Sequence, residues 1–216
     1  MQQFHELTHL ERAARSAVGC WFKIEQGLCN TIQGTTRPDD LLTREWFAYW
    51  QVARTFRKDG DREGILALLF EKLPRLKAAS PSTQSWEIVE RLSIKIKPMN
   101  CGTRPTSLVS KFAFSCCPTT FVPYDRIVRG QLRTLDHDYV AYKQAFSKTQ
   151  ADIERKLKKF IRPSGEVGLT SQNLAVDGRS MDQRVFLARI TDWYLLLQGR
   201  YDPIGAGNPV HFGPMT

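Results

Sequence analysis

TSLVSKFAFSCCPTTFVPYDRIVRGQLRTL, residues Thr106 to Leu135, is the stretch whose reading decides the fold. It begins as a short apolar helix carrying one lysine, Lys111. A tight connection through Pro118 follows, then an extended Phe121 to Tyr124 and a second helix opened by Asp125. Asp is a preferred N-cap because its oxygen takes an otherwise orphaned backbone N–H, and the helix dipole favours its negative charge. Pro123 keeps the chain out of helix until that point. Lys111 and Asp125 lie fourteen residues apart, so the connection is short enough to bring amine and acid to one cleft.

The order of lysine-bearing helix, turn, Val-Pro-Tyr-Asp and second helix resembles the core of the helix-hairpin-helix DNA glycosylases. More narrowly, it resembles compact bacterial proteins with an 8-oxoguanine-DNA-glycosylase-like fold. Ser110-Lys111, Phe114 or Ser115, Pro118, Phe121, Pro123 and Asp125 stand in the order of that pattern. The resemblance implies that Lys111 is the nucleophile attacking the sugar carbon that bears the base, and that Asp125 activates it or steadies the developing positive charge. A lysine acts this way only when desolvation or a nearby cation lowers its pKa, and Phe112, Ala113 and Phe114 supply an apolar setting. The chain departs from the family in two respects. The usual lysine-to-aspartate spacing lands on Ser107, one helical turn before Lys111 and on the same face. The hairpin segment Gly102-Thr103-Arg104-Pro105 has one glycine where the family has two. If Ser107 holds the nucleophile position, bases would be excised without strand cleavage.

Composition agrees with a polyanionic partner. Against 22 acidic residues stand 31 Lys and Arg, giving a net charge of +9. Such an excess favours polyanionic partners, nucleic acid first and an anionic membrane second, because each neutralised phosphate releases a counterion, and the resemblance implies that the nucleic acid is DNA. Arg126, Arg129 and Arg133 recur along one stripe of the helix begun by Asp125, and with Arg104 they are the candidate phosphate contacts. A second basic cluster, Arg155-Lys156-Leu157-Lys158-Lys159 with Arg162, closes the next long helix, where the dipole favours cations whatever the function. Aromatic residues Trp46, Phe47, Tyr49, Trp50 and Phe56 recur at helical spacing beside Arg54, Arg57 and Lys58, either as core or as a surface for stacking bases.

No metal site and no cofactor motif is expected. His5 and His9 have the spacing of two ligands on one helix, but no third ligand completes a motif, and Asp136-His137-Asp138 has no partner pair elsewhere. The five cysteines include no C-x-x-C and read as reduced thiols, mostly buried. No run of eighteen apolar residues exists, which argues against a membrane span, and the first residues lack the basic and apolar regions of a secretion signal. A cytoplasmic protein is expected.

Outward from the central stretch, every strongly periodic segment is helical. The expected elements run from Phe4 to Val18, from Thr43 to Lys58, from Asp61 to Leu73, through Trp86 to Ile96, from Asp136 to Phe160 and from Ser180 to Gln198. Gly19 to Asp40 reads as irregular, the place for any small strand, and Pro163 to Gly178 as a long loop. The fold class is all-α: a single helical domain over residues 1–200 and a Pro/Gly-rich tail over 201–216, available to a protein partner. Two functions from different classes follow. One is base excision by a glycosylase-like enzyme, the base flipping out of the stack. The other is a catalytically altered accessory protein of that fold, binding nucleic acid or a protein, as the resemblance implies for bacterial antiphage systems.

Overall fold

The computed structural model describes residues 2–35, 40–160, 173–176 and 179–201. The protein is mostly helical, with one small strand pair among the described residues. Helix α1 (Gln2–Cys20) runs through a π-helical turn, Trp21–Glu25, into α2 (Gln26–Gly34); α3 (Asp40–Trp50), α4 (Arg62–Glu71) and α5 (Leu73–Lys77) follow. Then come α6 (Thr83–Ile96), α7 (Thr106–Cys116), α8 (Arg126–Leu132) and α9 (Tyr139–Phe160). Strands β1 (Asn173–Val176) and β2 (Arg179–Asp182) pair antiparallel, Leu174 opposite Met181, and lead into α10 (Gln183–Tyr201). One hydrophobic cluster joins α1, α10 and the helices between them, with Phe112, Phe114, Tyr139, Tyr142 and Phe146 among its largest members.

Several boundaries differ from the sequence reading, each for a local reason. Gly19 to Gly34 is helical and not irregular, and the strands lie instead beside α10, which starts at Gln183 and takes in Tyr201. Most of the loop expected over Pro163 to Gly178, and the tail beyond Tyr201, lie outside the described residues. Helix α3 stops at Trp50, well short of Lys58, because Gln51 turns left-handed (φ 51°). The Gln51 and Val52 N–H groups close back on the carbonyls of Ala48 and Phe47. That is the Schellman pattern normally built around glycine. A Gln in glycine's place gives no sequence signal, so the aromatic period reads on as helix. Trp46, Phe47 and Trp50 are core and not a surface for stacking. Leu135 is 77% exposed, since α8 ends when Arg133 turns left-handed at φ 53°.

Asp61 and Asp125 cap the helices the sequence marks them for and Ser82 caps α6, whereas Thr43, expected to open α3, lies inside a helix that begins at Asp40. The Asp61 carboxylate accepts from Gly64 N–H at 2.8 Å, Ser82 Oγ from Ser85 N–H at 3.2 Å, and Asp125 from Ile127 N–H at 2.8 Å. Between α6 and α7, Cys101 (φ 49°) and Gly102 (φ 76°) stand consecutively in the left-handed region. The side chain of buried Asn100 holds this turn, donating to the carbonyls of Thr55 and Thr103 and accepting from Arg57 N–H. A left-handed non-glycine residue costs about 1–2 kcal/mol. Replacing Gln51 by Gly should therefore stabilise the protein, by about 1 kcal/mol after the entropy of the added glycine is deducted, as read from the midpoint of urea unfolding.

Candidate functional site

The extended segment that delivers Asp125 is buried without belonging to a sheet, so its backbone polar groups need side-chain partners. The Tyr139 hydroxyl both accepts from Val122 N–H and donates to Val122 C=O, each at 2.9 Å. Tyr142 donates to the Pro123 carbonyl at 2.8 Å, and Ser110 Oγ accepts from Tyr124 N–H at 2.9 Å. Ser110, the residue before Lys111, therefore ties α7 directly to the start of α8. Three hydroxyls from two helices fix the approach of the acid to the amine.

Lys111 does not reach solvent in the way a lysine on an apolar helix commonly does. It is 9% exposed, and its ammonium donates to the Trp50 carbonyl at 3.0 Å, at the end of α3. It also lies 6.0 Å from the centre of the Trp50 ring. Burial lowers its pKa below the usual lysine value; Asp125 and Asp192 act in the opposite sense, and Arg189 and Arg54 add to the lowering. Amine and acid thus share one electrostatic neighbourhood without touching, for no ion pair within 4.0 Å joins them. Ser107 lies half-buried one turn earlier on α7, its carbonyl accepting from Ser110 Oγ at 3.0 Å.

Helix α10 supplies residues that the sequence reading passed over. Arg189, Asp192 and, from the π-helical turn, Glu25 form an almost completely buried ion cluster in which Arg189 pairs with both acids. Tyr49 donates to Glu25. The Arg189 guanidinium lies 5.7 Å from the Trp50 ring centre, so Lys111 and Arg189 both lie close to the same indole. Four polar atoms of this cluster, Glu25 Oε2, Asp192 Oδ1, Arg189 Nε and Trp50 Nε1, have no hydrogen-bond partner among the described residues. Burial pushes the Asp192 carboxyl up to about 6 against the opposing pull of Arg189, with Asp125 and Glu25 adding to the rise. Its signal in the sequence was an Arg and an Asp at i, i+3 inside an apolar run.

The candidate phosphate contacts are not equivalent. Arg126 and Arg133 are exposed, whereas Arg129 pairs with Asp136 at 2.7 Å. The half-buried Arg104 donates to the His137 carbonyl at 3.1 Å and to Ser93 Oγ at 3.3 Å, which braces the turn before α7. In the basic cluster on α9, Arg155 pairs with Asp152 and Lys158 with Glu154. Lys156 lies 5.9 Å from the Tyr194 ring centre, and Arg162 lies outside the described residues. Asp136 accepts from Tyr124, His137 contacts Thr106 through its ring, and Asp138 caps α9 through Ala141 N–H. Among the described residues no group of three or more His, Cys, Asp or Glu is arranged to hold a metal ion. No described helix is long and apolar enough to cross a membrane. His5 and His9 both lie on α1, but the His5 side chain lies outside the described residues.

No family model matches the chain, and neither the curated proteins nor the solved structures contain a match.

The raised Asp192 pKa makes a signed prediction. Between about pH 4 and 6 the folded protein holds more protons on this group than the unfolded chain, so its contribution to stability is present below pH 4 and lost as pH rises through 6. At 1.36 kcal/mol per pKa unit the change is on the order of 3 kcal/mol. Urea unfolding of Asp192→Asn at pH 4 to 7 should therefore lack a fall in stability that the parent shows over that range.

Proposed function

We propose that this chain is a DNA glycosylase-like enzyme that draws a damaged or modified base out of the stack and excises it. The observation that carries this reading is a lysine buried to nine-tenths, its pKa lowered by burial, in the electrostatic field of a helix-capping aspartate. In this mechanism the Lys111 Nζ lone pair forms a bond to the sugar carbon as the base departs with the electron pair of the glycosidic bond. Loss of the amine protons and opening of the sugar then give an imine. Asp125 steadies the positive charge that develops at the sugar. The succession of α6, a tight left-handed turn, α7, an extended segment and the Asp-capped α8 supports the helix-hairpin-helix likeness, and the net positive charge supports a DNA substrate. Arg126 and Arg133 are the exposed arginines available to flanking phosphates.

One observation favours the second reading, a nucleic-acid- or partner-binding accessory protein without base excision, of the kind the resemblance implies for antiphage systems. The turn before α7 has one glycine, and Arg104 is committed to the protein's own backbone, which reduces its availability to DNA at that point.

Borohydride should trap a covalent adduct between the protein and oligonucleotides from a panel of lesions, at a peptide containing Lys111, and Lys111→Ala should abolish it. Unchanged trapping in that variant eliminates Lys111 as the nucleophile. DNA binding that depends strongly on salt, with no base released from any lesion, selects the accessory protein. Arg126→Ala should weaken binding to all sequences alike and reduce the slope of log K against log salt by about 1, as expected for one lost phosphate contact.

A further inference from the structure

Away from Lys111, a second buried amine lies between α6 and α9. Lys143 is 8% exposed, with its ammonium 5.4 Å from the ring centre of Trp86 and 5.6 Å from that of Phe146. The ammonium donates a hydrogen bond to Ser147 Oγ, at 3.3 Å. Among the described residues no carboxylate pairs with it: on α6, Glu87 pairs with Arg91 and Glu90 accepts from Val140 N–H, while on α9, Asp138 caps the helix. The indole N–H of Trp86 is also buried, with no hydrogen-bond partner among the described residues. A buried ammonium with no counter-charge is costly, and shedding its proton relieves the cost. Trp86 and Ser147, the neighbours of the amine, are half-buried and so reach the surface.

We propose that Lys143 is a second reactive amine of this protein, a site at which small aldehydes form an imine between the faces of Trp86 and Phe146. The amine nitrogen adds to the carbonyl carbon, the carbonyl oxygen leaves as water with the two amine hydrogens, and a neutral imine remains in the aromatic cage. Burial alone moves the Lys143 amine down to about 8. A group titrating there is neutral about a tenth of the time at pH 7, whereas an ordinary lysine is neutral fewer than about one time in a thousand. The inference is independent of Lys111 and of any nucleic-acid chemistry.

The test is limiting formaldehyde with cyanoborohydride at pH 7 on the intact protein, with methylation followed peptide by peptide. Hydride transfer to the imine carbon makes each event permanent. Lys143 should be methylated at least about tenfold faster than the exposed Lys148 on the same helix. Ser147→Asp places a carboxylate beside the amine and should remove that excess, while Ser147→Asn, of the same size and uncharged, should keep it. Equal rates at Lys143 and Lys148 in the parent protein would overturn the proposal, as would an excess unchanged in Ser147→Asp.

Discussion

The buried, unpaired strand of backbone from Phe121 to Tyr124 is the constraint on which the candidate site depends. A segment in that position without hydrogen-bond partners would cost about 1–3 kcal/mol for each orphaned group. Tyr139, Tyr142 and Ser110 remove that cost by presenting hydroxyls to Val122, Pro123 and Tyr124. Because two of these residues belong to α9 and the third to α7, satisfying the backbone also fixes three elements relative to one another. Asp125 begins α8 one residue beyond the last of these bonds, so its position relative to Lys111 is set by hydrogen bonding and not by a flexible loop.

On the other side of the amine, the end of α3 performs a similar task. The left-handed turn at Gln51 closes the helix and leaves the Trp50 carbonyl to receive Lys111, while Lys111 and Arg189 both lie about 6 Å from the centre of that residue's indole. Two cations near one ring oppose each other, and the arginine keeps its charge because Glu25 and Asp192 hold it. Burial first, and the Arg189 charge after it, lower the pKa of Lys111. Breaking a buried ion cluster of this kind by removing one member typically costs about 3–5 kcal/mol. This environment combines desolvation with a neighbouring cation, two conditions that make an amine nucleophilic.

Much of this was legible in the sequence, and what was not has a physical explanation. Asp61, Asp125 and the helical periods around them announce themselves through local chemistry: a cap needs only the next turn of its own helix. That Asp125 falls within the electrostatic reach of Lys111 was readable because fourteen residues and a proline-bearing connection limit how far apart they fall. The end of α3 was hidden because Gln51 adopts a conformation that its side chain does not advertise. Tyr139 and Tyr142 read as apolar helix positions, since nothing local tells a tyrosine whose hydroxyl clamps a distant backbone from one that only packs. Arg189, Asp192 and Glu25 come from opposite ends of the chain, and only the packing of α1 against α10 brings them together.

The central claim is that Lys111 is an amine pushed toward its neutral form within reach of the field of Asp125. Titration of the Lys111 side chain by NMR, with lysine isotopically labelled, reads this directly. The account predicts that Lys111 loses its proton below the ordinary 10.5, and that Asp125→Asn lowers the midpoint further because the carboxylate opposes the effect of burial. A Lys111 resonance that titrates with the exposed lysines and ignores the loss of the Asp125 charge would contradict it.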